Sequence, residues 1–292
     1  AGTGTRSSWR IRSTDPKKNA RLRTIGPPAD PPNCWRLKGT LSRFASFVKK
    51  SFVASLSLRP NPTADPCNTF LNLNDPFNFD PSFLQNVRNI QFRGVVAKVN
   101  LALDKLPGFT ALHGDHALLR GSISISPSLN YLEKAYDAAK YGEFSQRPYL
   151  EVVIPSLLDP SRAPEGKHVM SVWVQYAAYH LKGGWNEAQR EALGNTVVNT
   201  LAEYAPNLPS VILHRQVLTP LDLEETYGLT EGNPYHGDMT LNQLFFMRPV
   251  PGWSQYRTPL GGLYLCGSGT HPGGGLPGAA GRNAAKEILR SR

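Results

Sequence analysis

The last thirty-two residues, GGLYLCGSGTHPGGGLPGAAGRNAAKEILRSR, limit the fold more tightly than any other stretch of this 292-residue chain. They read as a short hydrophobic strand, Leu263 to Cys266, then a glycine-dense turn from Gly267 to Gly275, then a helix from about Pro277 to Leu289. Seven glycines fall within 267–281. Glycine admits positive φ and lets backbone approach a ligand closely. A strand that delivers such a turn into a helix start brings unpaired N–H groups and the positive end of the helix dipole together, where an anion such as a pyrophosphate is stabilised. Ala279, Ala280, Ala284 and Ala285 would let the helix lie close to a sheet. The competing reading is a tight turn whose glycines serve packing alone. The pattern by itself names no ligand.

Upstream, hydrophobic periodicity gives the texture of a globular body from about residue 61. FRGVVAKVNLALDKLP (92–107) alternates as a long strand with Val95, Ala97, Val99, Leu101 and Leu103 on one parity. SISISP (122–127), YLEVVI (149–154), HVMSVWVQYAA (168–178) and SVILHRQVL (210–218) read as further strands. Helices are expected at Pro81–Val87, at 130–142 with Leu132, Ala135, Tyr136 and Ala139 on one side, and at 186–205. The last is capped by Asn186, carries a Leu193, Val197, Leu201 and Tyr204 stripe and ends at Pro206. A short capped helix starts at Thr219 or Pro220. Strands and helices alternate irregularly, which predicts an α+β (mixed α/β) fold with a mixed sheet and not a regular βαβ series.

Charge divides the chain. Residues 1–60 hold thirteen Lys or Arg and two Asp, for +11, whereas 61–292 sum to −1 within an overall +10. The basic end has no sustained period except LSRFASFVKKSFVASLSL (41–58), where Phe44, Phe47, Val48 and Phe52 suit a helix or an interfacial amphipathic stretch. A disordered tail, an Arg- and Ser-rich targeting segment, a nucleic-acid arm and a remnant of a truncated upstream region all fit it. No phosphate-binding motif supports specific nucleic-acid recognition. With 40% hydrophobic and 18% charged residues, wholesale disorder is excluded. No run of eighteen apolar residues offers a transmembrane helix, so membrane contact, if made, is peripheral. Cys34, Cys67 and Cys266 are far apart, odd in number and without a C-x-x-C, which favours a reducing compartment, cytoplasm or mitochondrial matrix.

The run from Gly262 through Gly275, followed by Gly278 and Gly281–Arg282–Asn283–Ala284–Ala285, resembles the C-terminal flavin-binding signature of the phytoene desaturase and carotenoid isomerase group of FAD-dependent oxidoreductases. DMTLNQLFFMRPVPGWSQYRTPLGG (238–262), ADPCNTFL (64–71) and VVAKVNLALDKLPGF (95–109) extend the likeness over roughly 61–292. The resemblance implies the C-terminal part of a two-domain fold: residues 61–245 mainly a mixed-sheet substrate-binding domain, and 246–292 the end of an incomplete Rossmann-like FAD domain. It implies FAD as cofactor and redox or isomerisation chemistry on an apolar, polyene- or carotenoid-like substrate. Gly267, Ser268 and Gly269 would lie beside the ribityl–pyrophosphate linkage; Gly274, Gly275, Leu276 and Pro277 would approach the isoalloxazine; Gly278 and Ala279 would open the helix over the phosphates. Where many flavin relatives carry Gly-Asp, this chain has Gly267–Ser268, whose hydroxyl hydrogen-bonds but carries no charge. A G-x-G-x-x-G scan finds only Gly2-Thr3-Gly4, with Ser7 at the third place, so FAD capture is expected to depend on an ADP-binding half outside these residues. The alternative is a truncated, non-catalytic remnant or partner-binding protein without autonomous FAD binding. A basic protein associated with nucleic acid or membrane through residues 1–60 is a third reading.

Among reactive groups, His271 lies inside the turn and suits either proton transfer near the flavin or a loop-shaping hydrogen bond. Arg248 suits a buried carboxylate partner, a place near the flavin, or the surface. His236 and Asp238 are too few ligands for a metal, and none is expected. The lone Cys266 disfavours dithiol chemistry, and the absence of a G-x-S-x-G elbow leaves serine hydrolysis unsupported. Trp173, Tyr176, Tyr179, Phe245, Phe246, Trp253 and Tyr256 would line an apolar tunnel or build ordinary cores.

Overall fold

The computed structural model describes residues 64–112, 116–274 and 278–291. The expectations for residues 1–60, and for Gly275, Leu276 and Pro277, lie outside the described residues. Five strands form one sheet: β1 (Val96–Leu103), β2 (Ile123–Ile125), β3 (Phe144–Val153), β4 (His168–Ala177) and β5 (Ile212–Leu218), in the order β2-β3-β4-β1-β5. Every pairing is antiparallel, which corrects the expected mixed sheet. The reason is visible in the strands themselves. β1 and β4 alternate apolar with polar or small residues, as an antiparallel sheet with one covered face requires; a parallel strand covered on both faces would be apolar at every position.

The covered face carries Ala97, Val99, Leu101 and Leu103 of β1 against Val174, Val172, Met170 and His168 of β4 in direct register. All of these except His168 are essentially inaccessible. Helix α3 (Glu187–Ala202; α1 and α2 follow below) closes that face with Leu193, Val197 and Leu201, each 0% exposed. Burying each such side chain contributes about 1.5–3 kcal/mol. Gly194 lets the helix settle, because a Cβ there would stand 2.8 Å from Arg215 Cζ and Val217 Cγ2 on β5. As expected, Asn186 caps α3, its Oδ1 accepting from Gln189 N at 3.0 Å. Helix α2 (Leu129–Lys140), capped by Ser128, buries Ala135, while Tyr136 stays 41% exposed with its ring edge-on to Tyr176.

A second apolar cluster joins distant parts of the chain. Phe70, Phe79 and Phe83, the last on α1 (Pro81–Arg88), pack with Val250, Trp253, Leu263 and Leu265. The Phe70–Phe83 and Phe83–Trp253 pairs meet edge to face at 4.9 and 5.5 Å, the arrangement the ring quadrupoles favour. Helix α4 (Pro220–Tyr227) starts in a reciprocal capping box between Thr219 and Asp222 and stops at left-handed Gly228. Helix α5 (Ala279–Arg290) ends the described chain.

Leu263–Cys266 forms no strand. A strand is defined by its neighbour, and only 256–258 runs alongside, giving one antiparallel bridge, Arg257 to Tyr264, and the bonds Leu265 N to Tyr256 O and Thr258 N to Leu263 O. The small face of α5 is also placed differently from expectation: Ala280 and Ala284 are buried against Tyr256.

Candidate functional site

The turn begins at exposed Gly267, whose φ of 144° suits glycine and whose missing Cβ faces open space. Its carbonyl accepts from both Thr270 N (3.1 Å) and Thr270 Oγ1 (2.9 Å), so the first half closes on itself. The second half folds back through Gly274 N to Ser268 O at 3.2 Å. Two glycines make the close approaches that hold the turn in place: a Cβ on Gly269 would stand 2.7 Å from Pro66 Cδ, and one on Gly273 would stand 2.8 Å from Arg248 Cδ. α5 opens at Gly278, φ 68°, with no side-chain cap and no acidic residue in its first turn. The helix's own first turn thus places no negative charge against its dipole.

Arg248 organises the surroundings. It is 3% exposed, and all five of its N–H groups point at main-chain carbonyls. Nε donates to Gln243 O (2.7 Å), Nη1 to Tyr235 O (2.7 Å) and Ser268 O (2.6 Å), and Nη2 to Gly237 O (2.8 Å) and Asp238 O (2.9 Å). It is therefore neither a surface residue nor hydrogen-bonded to a carboxylate, and it ties the 235–243 loop to the turn. On the other side, buried Asp65 accepts from Asn68 N and Thr230 N, both at 2.9 Å. Asn68 Nδ2 in turn donates to Gly228 O at 2.6 Å. Asp65 and Asn68 were not singled out individually from the sequence; both lie in ADPCNTFL (64–71), which entered only as part of the family likeness.

His236 and Asp238 flank this joint. Burial pushes the His236 imidazole below its usual range and the Arg248 charge acts the same way, against Asp65. Burial lifts the Asp238 carboxyl to about 6, against the opposing pull of Arg93 3.6 Å away. Arg93 is 66% exposed, so solvent screens it and burial wins. No His, Cys, Asp and Glu cluster that could hold a metal occurs among the described residues.

His271 stands in the wall of a cavity of about 490 Å³ with Tyr256, Asn283, Lys286 and Arg290. Its carbonyl accepts from Tyr256 OH at 3.1 Å, and Asn283 Nδ2 donates to the same phenol at 2.9 Å. Its Nδ1 is buried without a partner among the described residues, so the loop is shaped through the backbone and not through the ring. Cys266 is exposed, and half-buried Cys67 donates to Val87 O at 3.4 Å. Burial, followed by Asp65 and Glu231, pushes the Cys67 thiol up to about 12, which keeps it from acting as a thiolate.

The aromatic residues do not converge on one tunnel among the described residues. Phe245 and Phe246 are 51% and 69% exposed; Trp253 belongs to the second core; Tyr179 OH bonds Glu224. Trp173 lies on the uncovered sheet face opposite Lys98 and Glu151. That face is half-buried and polar at its centre, where Ser171 Oγ donates to Asn100 Oδ1 (2.9 Å) and Asn100 Nδ2 to Gln216 Oε1 (3.1 Å). Tyr235 connects it to the turn: burial raises its phenol, with Glu151 and Tyr149 of β3 adding to the rise, while its carbonyl is held by Arg248.

Comparison with known proteins gives the class to which such a chain belongs. The chain belongs to the family of flavin containing amine oxidoreductases, whose signature matches residues 70–289. It is 44% identical over 263 residues to pyridine nucleotide-disulfide oxidoreductase domain-containing protein 2 of Rattus norvegicus, an alignment covering 87% of this chain and 44% of that protein. It is 28% identical to a limonene dehydrogenase subunit of Castellaniella defragrans, over 65% of this chain and 36% of the relative. It is 32% identical to a 4,4'-diapophytoene desaturase of Staphylococcus aureus, over 47% of this chain and 27% of the relative. The chain thus spans less than half the length of these relatives. A solved oxidoreductase from Methanosarcina mazei matches with a TM-score of 0.38 and 17% identity, over 72% of this chain and 37% of that one.

Proposed function

We propose that the chain forms the substrate-facing and C-terminal flavin-contacting part of an FAD-dependent oxidoreductase of phytoene desaturase-like type, acting on an apolar substrate. Residues 61–245 are read as mainly the substrate-binding part and 246–292 as the end of the flavin domain. The observation that carries the reading is the 267–274 turn, clamped from beneath by Arg248 and leading to a helix start that has neither side-chain cap nor acid. The residues present fit the phosphate side of the cofactor: backbone N–H groups, an open Gly267 and the positive end of a helix whose first turn carries no acidic residue.

In this reading Gly267, Ser268 and Gly269 hold the ribityl–pyrophosphate linkage, and Gly278 with Ala279 presents the α5 amides to phosphate. Bound FAD would supply hydride or electron acceptance. The protein's own residues bind, orient and exclude water. Gly274 approaches the isoalloxazine, and the sheet face with Trp173, Tyr149 and Tyr235 offers the surface on which substrate rests. His271 is the turn's titratable group, placed to hold or move a proton at its imidazole. The apolar substrate class is supported by the names of two relatives, a limonene dehydrogenase and a diapophytoene desaturase.

The test is a flavin titration of the purified 292-residue chain, followed by absorbance and by quenching of FAD fluorescence. Weak binding is expected, the ADP-binding half lying outside these residues, with further loss of affinity in Gly269→Ala, because the added Cβ would press on Pro66 and displace the turn. A chain that neither shifts the FAD spectrum nor quenches its emission refutes autonomous flavin binding by this chain.

A further inference from the structure

We infer that Arg248 is the positioning residue of the turn: by holding the Ser268 carbonyl it fixes the Ser268–Gly269 peptide so that the Gly269 N–H is presented to the cofactor. The inference rests on the flavin reading above for the identity of the acceptor, and on geometry for everything else. Ser268 O receives two donors, Arg248 Nη1 at 2.6 Å and Gly274 N at 3.2 Å. The Ser268–Gly269 bond is trans. In a planar trans peptide the C=O and the following N–H point in opposite directions. The carbonyl faces Arg248, so the Gly269 amide faces away from it. That amide donates to no atom among the described residues. A main-chain N–H without a protein partner takes its acceptor from solvent or from a ligand.

Rotation about the bonds flanking this peptide would turn the N–H inward, and glycine at 269 removes most of the steric barrier to it. Arg248 supplies the barrier. Its remaining four bonds, to Tyr235, Gly237, Asp238 and Gln243, fix the guanidinium itself, so it acts as a rigid peg and not as a swinging charge. Lysine at 248 would keep the charge, but it has three donors on a flexible stem and cannot reproduce a planar five-bond fork.

The experiment uses the full chain uniformly labelled with nitrogen-15, as wild type and as Arg248→Lys. In the wild type without ligand, the Gly269 amide should exchange with solvent faster than those of Thr270 and Gly274, and FAD should shift its resonance. In Arg248→Lys the Gly269 response to FAD should vanish and FAD affinity should fall about tenfold, the loss typical of one charged hydrogen bond. Gly121 and Gly166, far from the turn, should be unaffected. A lysine variant that keeps both affinity and the Gly269 response overturns the inference, because charge would then suffice without positioning. Should the wild type fail to bind FAD, autonomous flavin binding falls and the positioning role is read from exchange. Thr270 and Gly274 amides should then exchange about tenfold faster in Arg248→Lys while Val99 and Val172 in the sheet keep their protection. Unchanged exchange at 270 and 274, or a Gly269 amide already protected in the ligand-free wild type, overturns it.

Discussion

Replacing Asp238 by Asn should stabilise the protein at neutral pH and do nothing at pH 4. The carboxyl is 12% exposed and its folded pKa is lifted from 3.8 to about 6 by burial. A raised value means that the folded state holds the proton more tightly than the unfolded one. The ionised carboxylate therefore weakens the fold in full above pH 6, and the penalty fades as pH falls from about 6 to about 4. A displacement of about two pH units corresponds to about 3 kcal/mol. Asparagine is isosteric and leaves the main chain as it is, with Asp238 N donating to Gln91 O at 2.8 Å and its carbonyl accepting from Arg248 Nη2 at 2.9 Å. The attraction of exposed Arg93 is already contained in that folded value, so the gain expected is about 3 kcal/mol at pH 8. Urea denaturation of both proteins at pH 8, 7, 6, 5 and 4 measures the difference directly. Carboxyls held low by their partners, such as Asp222 beside Arg190, are common to both proteins and cancel. A difference that stays constant across the series, or an Asn variant less stable at pH 8, refutes the account.

Two further outcomes probe the scaffold. Leu201→Ala removes a side chain that is 0% exposed between α3 and the sheet, and should lower the unfolding free energy by about 2–5 kcal/mol in chemical denaturation. Thr219→Ala breaks the box in which Thr219 Oγ1 accepts from Asp222 N at 3.2 Å and should lower it by about 1 kcal/mol, with calorimetry showing a small fall in Tm.

The sheet and the long helix were largely legible because each obeys a local period. β1 shows its parity at Ala97, Val99, Leu101 and Leu103, and α3 shows its stripe at Leu193, Val197 and Leu201. The same alternation could have named the sheet antiparallel, since polar residues such as Asn100 and Ser171 fill the uncovered face. Leu263–Cys266 misled because apolar β-formers announce a strand without announcing a partner for it. The glycine turn was conspicuous, yet the residue that orders it was not. Arg248 is satisfied by five carbonyls, and a carbonyl belongs to every residue, so no side-chain pattern marks its partners. Asp65 is equally silent, its work being done on the amides of Asn68 and Thr230.

The segments that meet at the turn have a consequence for how the protein is made. Asp65 and Asn68 leave the ribosome before their partners at Gly228 and Thr230, which follow some 160 residues later, and Pro66 waits for Gly269. β1, β3 and β4 can assemble as soon as residue 177 has emerged, whereas closing the loop from 65 to 230 is a late and entropically expensive event. Synthesis thus completes the sheet before the turn exists, and the turn must find Pro66 and Arg248 on a body already folded.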